Sequence, residues 1–160
     1  MPHILTIPRA QAPALPQIGC WPVQDLDFLQ AAVWQSRAHA EQDERYLQPI
    51  PYLLLRNASG QLWCYQRTGG DARLQGRCSC GVGGHVDRQD LHLQALIYEG
   101  QSAVGRVHLG VLYTALWLPD QAPRPEAGEA LQGLGFRAAH AIVNDDQFEL
   151  WSRLAAQHLT

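Results

Sequence analysis

Gly69-Gly-Asp-Ala-Arg-Leu-Gln-Gly-Arg-Cys-Ser-Cys-Gly-Val-Gly-Gly-His-Val86 is the stretch on which the reading of this 160-residue chain turns. A glycine-bearing loop, Thr68 to Gly76, carries Arg73 and feeds a strand from Cys78 to Val86 that holds three glycines. Glycine inside a strand marks a bulge or a place where another group approaches the backbone closely. Working upstream, Pro49-Ile-Pro-Tyr-Leu-Leu-Leu55 reads as a buried strand. Asn57-Ala-Ser-Gly60 is then a turn, and Gln61 to Arg67 the returning strand of a hairpin. Working downstream, Leu91, Leu93, Ala95 and Ile97 alternate with their neighbours, which is the period of a strand and not of a helix. Gly100-Gln-Ser102 is a turn, and Val104 to Leu118 a long strand.

The ends of the chain supply the helices. After a short strand, His3 to Pro8, a proline-rich connector runs to Pro22. Asp25 to about His39 reads as a helix, with Asp25 as cap and Leu26, Leu29, Val33 and Ala40 at helical spacing. A loop from Pro119 to Pro125 precedes Leu134 to Ile142, which fits a short strand or a loop. Asn144-Asp-Asp-Gln147 has the form of a capping box, and Phe148, Trp151, Leu154, Ala155 and His158 fall on one face of a terminal helix. The expectation is a single α/β domain over 1–160 with a mostly antiparallel or mixed sheet. Residues 1–45 give its N-terminal strand, connector and helix, 46–142 its sheet core, and 144–160 its C-terminal helix.

Apolar residues make up 46% of the chain and charged ones 17%, the balance of an ordinary globular protein. A net charge of −3 leaves no footprint for nucleic acid or an anionic membrane. No apolar run reaches a bilayer span, and the first sixteen residues hold four prolines but no signal-peptide core. A cytoplasmic protein is expected. There Cys20, Cys64, Cys78 and Cys80 are free thiols that pack the core. Cys78 and Cys80 with His85 also make a soft-metal alternative, without the paired knuckles of structural zinc sites.

Four stretches together resemble a bacterial branch of the Nudix superfamily, across nearly the whole chain. They are Ile4-Leu-Thr-Ile-Pro-Arg9, Asp43-Glu-Arg-Tyr-Leu-Gln-Pro-Ile-Pro-Tyr52, the glycine-rich 69–86, and the pair Val104-Gly-Arg-Val-His-Leu-Gly110 with Phe148-Glu-Leu-Trp-Ser-Arg-Leu154. The resemblance implies a Nudix-like mixed sheet sandwiched by helices. In that branch a Gly-x-Gly-Gly-His strand leads into the Nudix box, G-x5-E-x7-R-E-U-x-E-E-x-G-U. There a helix presents glutamates one turn apart to magnesium, which activates water on a diphosphate.

The box does not survive alignment. If Gly84 opens it, the first acidic position falls on Asp90 and the Arg-Glu pair on Tyr98 and Glu99. The two essential glutamates then fall on Ser102 and Ala103, and Gly105 closes the box. A second alignment takes Val104 to Gly110 as the strand that normally follows the box, so that the usual catalytic helix is deleted. The alternation of 91–97, the interruptions at Gly100 and Gly105 and the lack of an acidic pair at i, i+4 favour this second alignment. On either alignment the magnesium ligands are gone.

Three functional expectations follow. The first is a non-catalytic Nudix-fold protein, a pseudoenzyme that binds a nucleotide-like ligand or a protein partner and needs no cofactor. Arg67, Arg73, Arg77, Gly83, Gly84, His85 and His108 are its candidate ligand-binding residues, since guanidinium groups suit phosphates. The alternative is a divergent phosphohydrolase with a rebuilt metal site near His85 and His108. It would use magnesium, with Asp87 and Asp90 as further candidate ligands. The bland readings are a solvated basic loop, solvated loop carboxylates and histidines bonded to backbone carbonyls. A purely structural subunit is the third. Losing a helix would also uncover apolar sheet residues, so a homodimer or a protein partner is expected to cover them.

Overall fold

The computed structural model describes residues 3–70, 72–83 and 91–160. Strands β1 (His3–Pro8), β2 (Ile18–Pro22) and β3 (Val33–Ser36) precede one helical turn, α1 (Arg37–Ala40). The hairpin strands follow as β4 (Tyr46–Arg56) and β5 (Leu62–Arg67), and then two short strands, β6 (Cys78–Ser79) and β7 (Gly81–Val82). The chain continues through β8 (His92–Glu99), β9 (His108–Leu116) and β10 (Leu131–Arg137), and closes with α2 (Ala139–Val143) and α3 (Leu150–His158). Among the described residues this is a mixed sheet with few helices, the α/β class that the sequence implies.

Two compact units share these elements, residues 1–51 with 93–112 and residues 52–92 with 113–160. In the first unit β1 pairs antiparallel with β3, from His3 opposite Ser36 to Thr6 opposite Val33. The end of β1 pairs with the start of β4, Ile7 opposite Leu47. β2 lies antiparallel to β8, Ile18 opposite Glu99 and Trp21 opposite Leu96, and β8 has β9 as its other neighbour. Ile7, Leu47, Leu96, Ile97, Leu109 and Leu112 are fully buried here. In β8 and β9 consecutive residues are buried, Ala95 to Glu99 and Leu109 to Leu112, so along these stretches neither face is left to water.

In the second unit the hairpin joins Arg56 of β4 opposite Leu62 of β5. β10 runs antiparallel along β5, with a bulge between Gly133 and Gly135. β6 lies against β5, and β7 against β4 with Leu54 opposite Gly81. Leu54, Leu62, Tyr65, Ile142 and Phe148 fill the interior.

Three expectations from local pattern are corrected. Asp25 to His39 is not one helix. It is a 3-10 turn over Asp27–Ala31, then β3, then α1. Leu26, not Asp25, stands at the N-terminal cap of that turn, and the Asp25 carboxylate accepts only the Asp27 amide, at 3.1 Å, in a local turn ahead of it. Val33 and Trp34 favour extended backbone, and β1 offers them a ladder that Thr6 reinforces by donating to the Val33 carbonyl at 3.1 Å. Second, the terminal helix begins at Leu150, and 144–147 is no capping box. Asn144 ends α2, its side-chain Nδ2 donating to the His140 carbonyl, and the Asp145 carboxylate accepts the Gln147 backbone amide. The backbone of 147–149 is bonded instead to Cys78, which keeps the buried Phe148 out of the helix. Asp145 and Asp146 face Arg137 and Arg153. Third, the strand expected from Val104 starts at His108, after a 3-10 turn over Gly105–Val107. The ambiguous 134–142 splits into the end of β10 and the start of α2.

Gly81 explains one of the glycines in the deciding stretch. A Cβ built there would lie 1.9 Å from the ring of Tyr52, which is itself only 5% exposed. Gly81→Ala is therefore expected to destabilise the chain by about 1–3 kcal/mol through overpacking. Gly133→Ala, whose added methyl meets nothing nearer than 3.8 Å, should stay within about 1 kcal/mol, the usual cost of a tolerated swap. Urea unfolding of the two variants checks the contrast, and equal losses would contradict it.

Candidate functional site

The candidate residues divide between the units. Arg67, Arg73, Arg77 and Gly83 belong to the second unit and His108 to the first, while Gly84, His85, Asp87 and Asp90 lie outside the described residues. Arg67 and Arg77 are held together at the base of the loop, where the Arg67 amide donates to the Arg77 carbonyl at 3.0 Å. The Arg67 guanidinium lies over the Tyr65 ring, 5.6 Å from its centre, and donates to the Tyr65 hydroxyl at 3.3 Å. Its buried Nε has no hydrogen-bond partner among the described residues. Arg77 donates to the Phe148 carbonyl at 3.0 Å, Arg73 is exposed, and Gly83 is exposed just after β7. His108 sits with Nδ1 2.7 Å from the Val104 carbonyl. A carbonyl only accepts, so Nδ1 carries the hydrogen, which is the backbone-bonded arrangement of the bland reading.

A buried polar network in the second unit was not legible in the sequence. The Tyr52 hydroxyl donates to Glu149 Oε1 at 2.8 Å and lies 2.7 Å from Ser152 Oγ. Ser79 Oγ donates to the same Glu149 oxygen at 3.0 Å, and the Cys80 amide donates to Ser152 Oγ at 2.9 Å. Burial, then the Glu149 charge, raises the Tyr52 phenol well above its ordinary range, so it acts as a donor and not as a base. Tyr65 donates to the Gly81 carbonyl at 2.6 Å. Glu149 stands just before α3, where a carboxylate also suits the helix N-terminus.

The cysteines are free thiols, as expected. Desolvation pushes Cys20 and Cys64 up to about 12 and raises Cys78 and Cys80 as well. All four are neutral at pH 7 and are packing groups, not nucleophiles.

Glu99 is the acidic residue that the first alignment places in the box, and its surroundings are specific. It ends β8 and is 9% exposed. Its Oε1 accepts the amides of Gln101 and of Ser102, the latter at 2.8 Å, and its Oε2 accepts the Ser102 hydroxyl at 2.5 Å. Ser102 Oγ in turn accepts the Gly105 amide at 2.9 Å. A Cβ at Gly105 would collide with both the carbonyl and the carboxylate of Glu99, so only glycine lets the turn close. Burial opposes ionisation here, but the Ser102 hydroxyl, the two amides and the Arg106 charge outweigh it and hold the carboxyl below its ordinary value of 4.5. A carboxylate offers about four acceptor positions, of which three are taken. Ser102 and Ala103, at the positions of the essential glutamates, carry no charge. The described residues at the box positions therefore do not fit a magnesium site.

Comparison with solved structures decides the fold. Tm1382, a "putative Nudix hydrolase", superposes with a TM-score of 0.75 over 99% of this chain and 98% of its own, at 21% identity. The fold is Nudix-like. Protein YmaB of Bacillus subtilis (strain 168) is 25% identical over 157 residues, an alignment that takes in 77% of this chain and 76% of that protein. No family model matches. A Nudix-like fold is the scaffold of a hydrolase family, but a fold hosts many functions and its sites decide between them. Among the described residues no helix is long and apolar enough to cross a membrane.

The Glu99 turn has a pH signature. Glu99→Gln is expected to cost about 1–2 kcal/mol at pH 7, since hydrogen bonds to a charged acceptor are the stronger kind. A lowered folded-state pKa contributes stability that is complete above the ordinary value of 4.5 and fades as pH falls through the folded-state value. Urea unfolding at pH 7 and in acid should show the gap between the two proteins closing. A gap that stays constant would mean that the charge on Glu99 does no stabilising work.

Proposed function

We propose that this chain is a non-catalytic Nudix-fold protein that acts by binding a ligand or a protein partner. The observation that carries the reading is the state of 92–105. Where a box helix would present its glutamates, the chain runs as strand β8 into a turn that uses its own acidic residue, Glu99, as an internal anchor. On this reading the box helix is deleted and the chain needs no resident metal.

Ligand binding is assigned to the loop that carries Arg67, Arg73 and Arg77. Arg67 Nε, which has no hydrogen-bond partner among the described residues, supports that assignment, because a guanidinium donor left over suits an incoming anion. Association with a second copy or a partner would have Trp34 and Leu118, at 70% and 73% exposure, among the large apolar side chains open to it.

Calorimetric titration of the metal-stripped chain with magnesium, manganese and zinc, then with ADP-ribose, tests the reading, followed by an assay for released phosphate products. The expected outcome is silence towards the metals and no turnover under any of them. Metal-dependent turnover would overturn the proposal in favour of a rebuilt hydrolytic site that includes His85 and His108. Arg67→Gln should weaken any nucleotide binding at least tenfold.

A further inference from the structure

A second place for an anion lies at the other end of the hairpin. Arg56, the last residue of β4, and the turn that follows it line an open hollow of about 490 Å³ in the second unit, together with His92, Thr114 and Leu116. We infer that this hollow is a binding site for a small organic anion, with Arg56 as its charged anchor.

Four features carry the inference. The Arg56 guanidinium is half-buried and finds no protein acceptor among the described residues, and its Nη2 lies 3.5 Å from where a Cβ of Gly60 would stand, over the turn. A half-buried cation with its donors free is a recognition group for a carboxylate or a phosphate. No carboxylate is among the described residues of the wall, so none of these competes for that charge. The rim is fixed in advance: Asn57 Oδ1 accepts the amides of Ser59 and Gln61 at 3.1 and 2.9 Å, and Asn57 Nδ2 donates to Gln61 Oε1 at 3.0 Å. Preorganised walls save the ordering cost of binding. The opposite side adds the hydroxyl-bearing Thr114, which is buried, and the apolar Leu116, which is 56% exposed. A few polar groups beside apolar wall are the usual make-up of a small-molecule site.

The ligand is thus a compact acidic head with a short apolar body. Arg67 stands five residues along β5 from Leu62, the partner of Arg56, or roughly 17 Å at a strand rise of about 3.3 Å per residue. The site is therefore separate from the arginine loop, and either one can fail without the other.

Calorimetric titration of the full chain at low ionic strength, with phenyl phosphate and with benzoate as probes, tests the inference. One-site binding of at least one probe is expected, and the stronger of the two identifies the head group. Arg56→Gln should weaken that binding at least tenfold. Ser59→Glu, which adds a carboxylate at an exposed rim position, should weaken it comparably even if the Arg56 variant is poorly folded. Arg67→Gln should leave it unchanged. The inference is overturned if neither probe binds saturably up to millimolar concentration. It is equally overturned if binding survives both rim variants or is lost only with Arg67→Gln.

Discussion

The lone pairs of a carboxylate are few, and where Glu99 places them governs the turn that follows β8. Two amides and a hydroxyl converge on it, and Gly105 closes on the same group so tightly that no side chain fits. The turn thus returns the chain sharply from β8 into β9. A carboxylate in that position must stay ionised to be worth its burial, and the local donors keep it so. The same commitment leaves few of its lone pairs for a metal. The proposal that the protein is a binder is supported by this competition between structure and catalysis for one side chain.

A parallel economy operates in the second unit. The glycine-rich strand invites interpretation as a ligand cradle, yet Gly81 lacks a side chain because the Tyr52 ring occupies the space. That ring delivers its hydroxyl to Glu149 and Ser152, and Ser152 reaches the Cys80 amide. Every member of the network has a partner, the condition under which buried polar groups stabilise and do not cost. The terminal helix is tied to the glycine strand through hydrogen bonds as well as through Phe148. Part of what resembles a functional motif is therefore packing.

Legibility in the sequence followed the range of the interaction. The hairpin of β4 and β5 and the alternating β8 rest on neighbours along the chain, and both were readable from turn residues and period. The segment 25–39 was not, because Val33 and Trp34 obey a ladder with β1 that lies far away in sequence. Asn144 to Gln147 carries a real capping pattern, but Cys78 claims the backbone beyond it. That Ser102 and Ala103 stand where the first alignment expects the box glutamates was legible by position alone. The role of Glu99 was not, since nothing local distinguishes a turn anchor from a recruited ligand. The hollow beside Arg56 needed the turn, β8 and β9 in three dimensions before any of its residues stood out.

The most direct measurement is a manganese titration of the isotopically labelled chain, followed by amide NMR. If Glu99 is spent on its turn, the signals of 99–105 stay sharp while paramagnetic ion is added. Selective broadening of those signals at low manganese would place a metal on Glu99 and contradict the account.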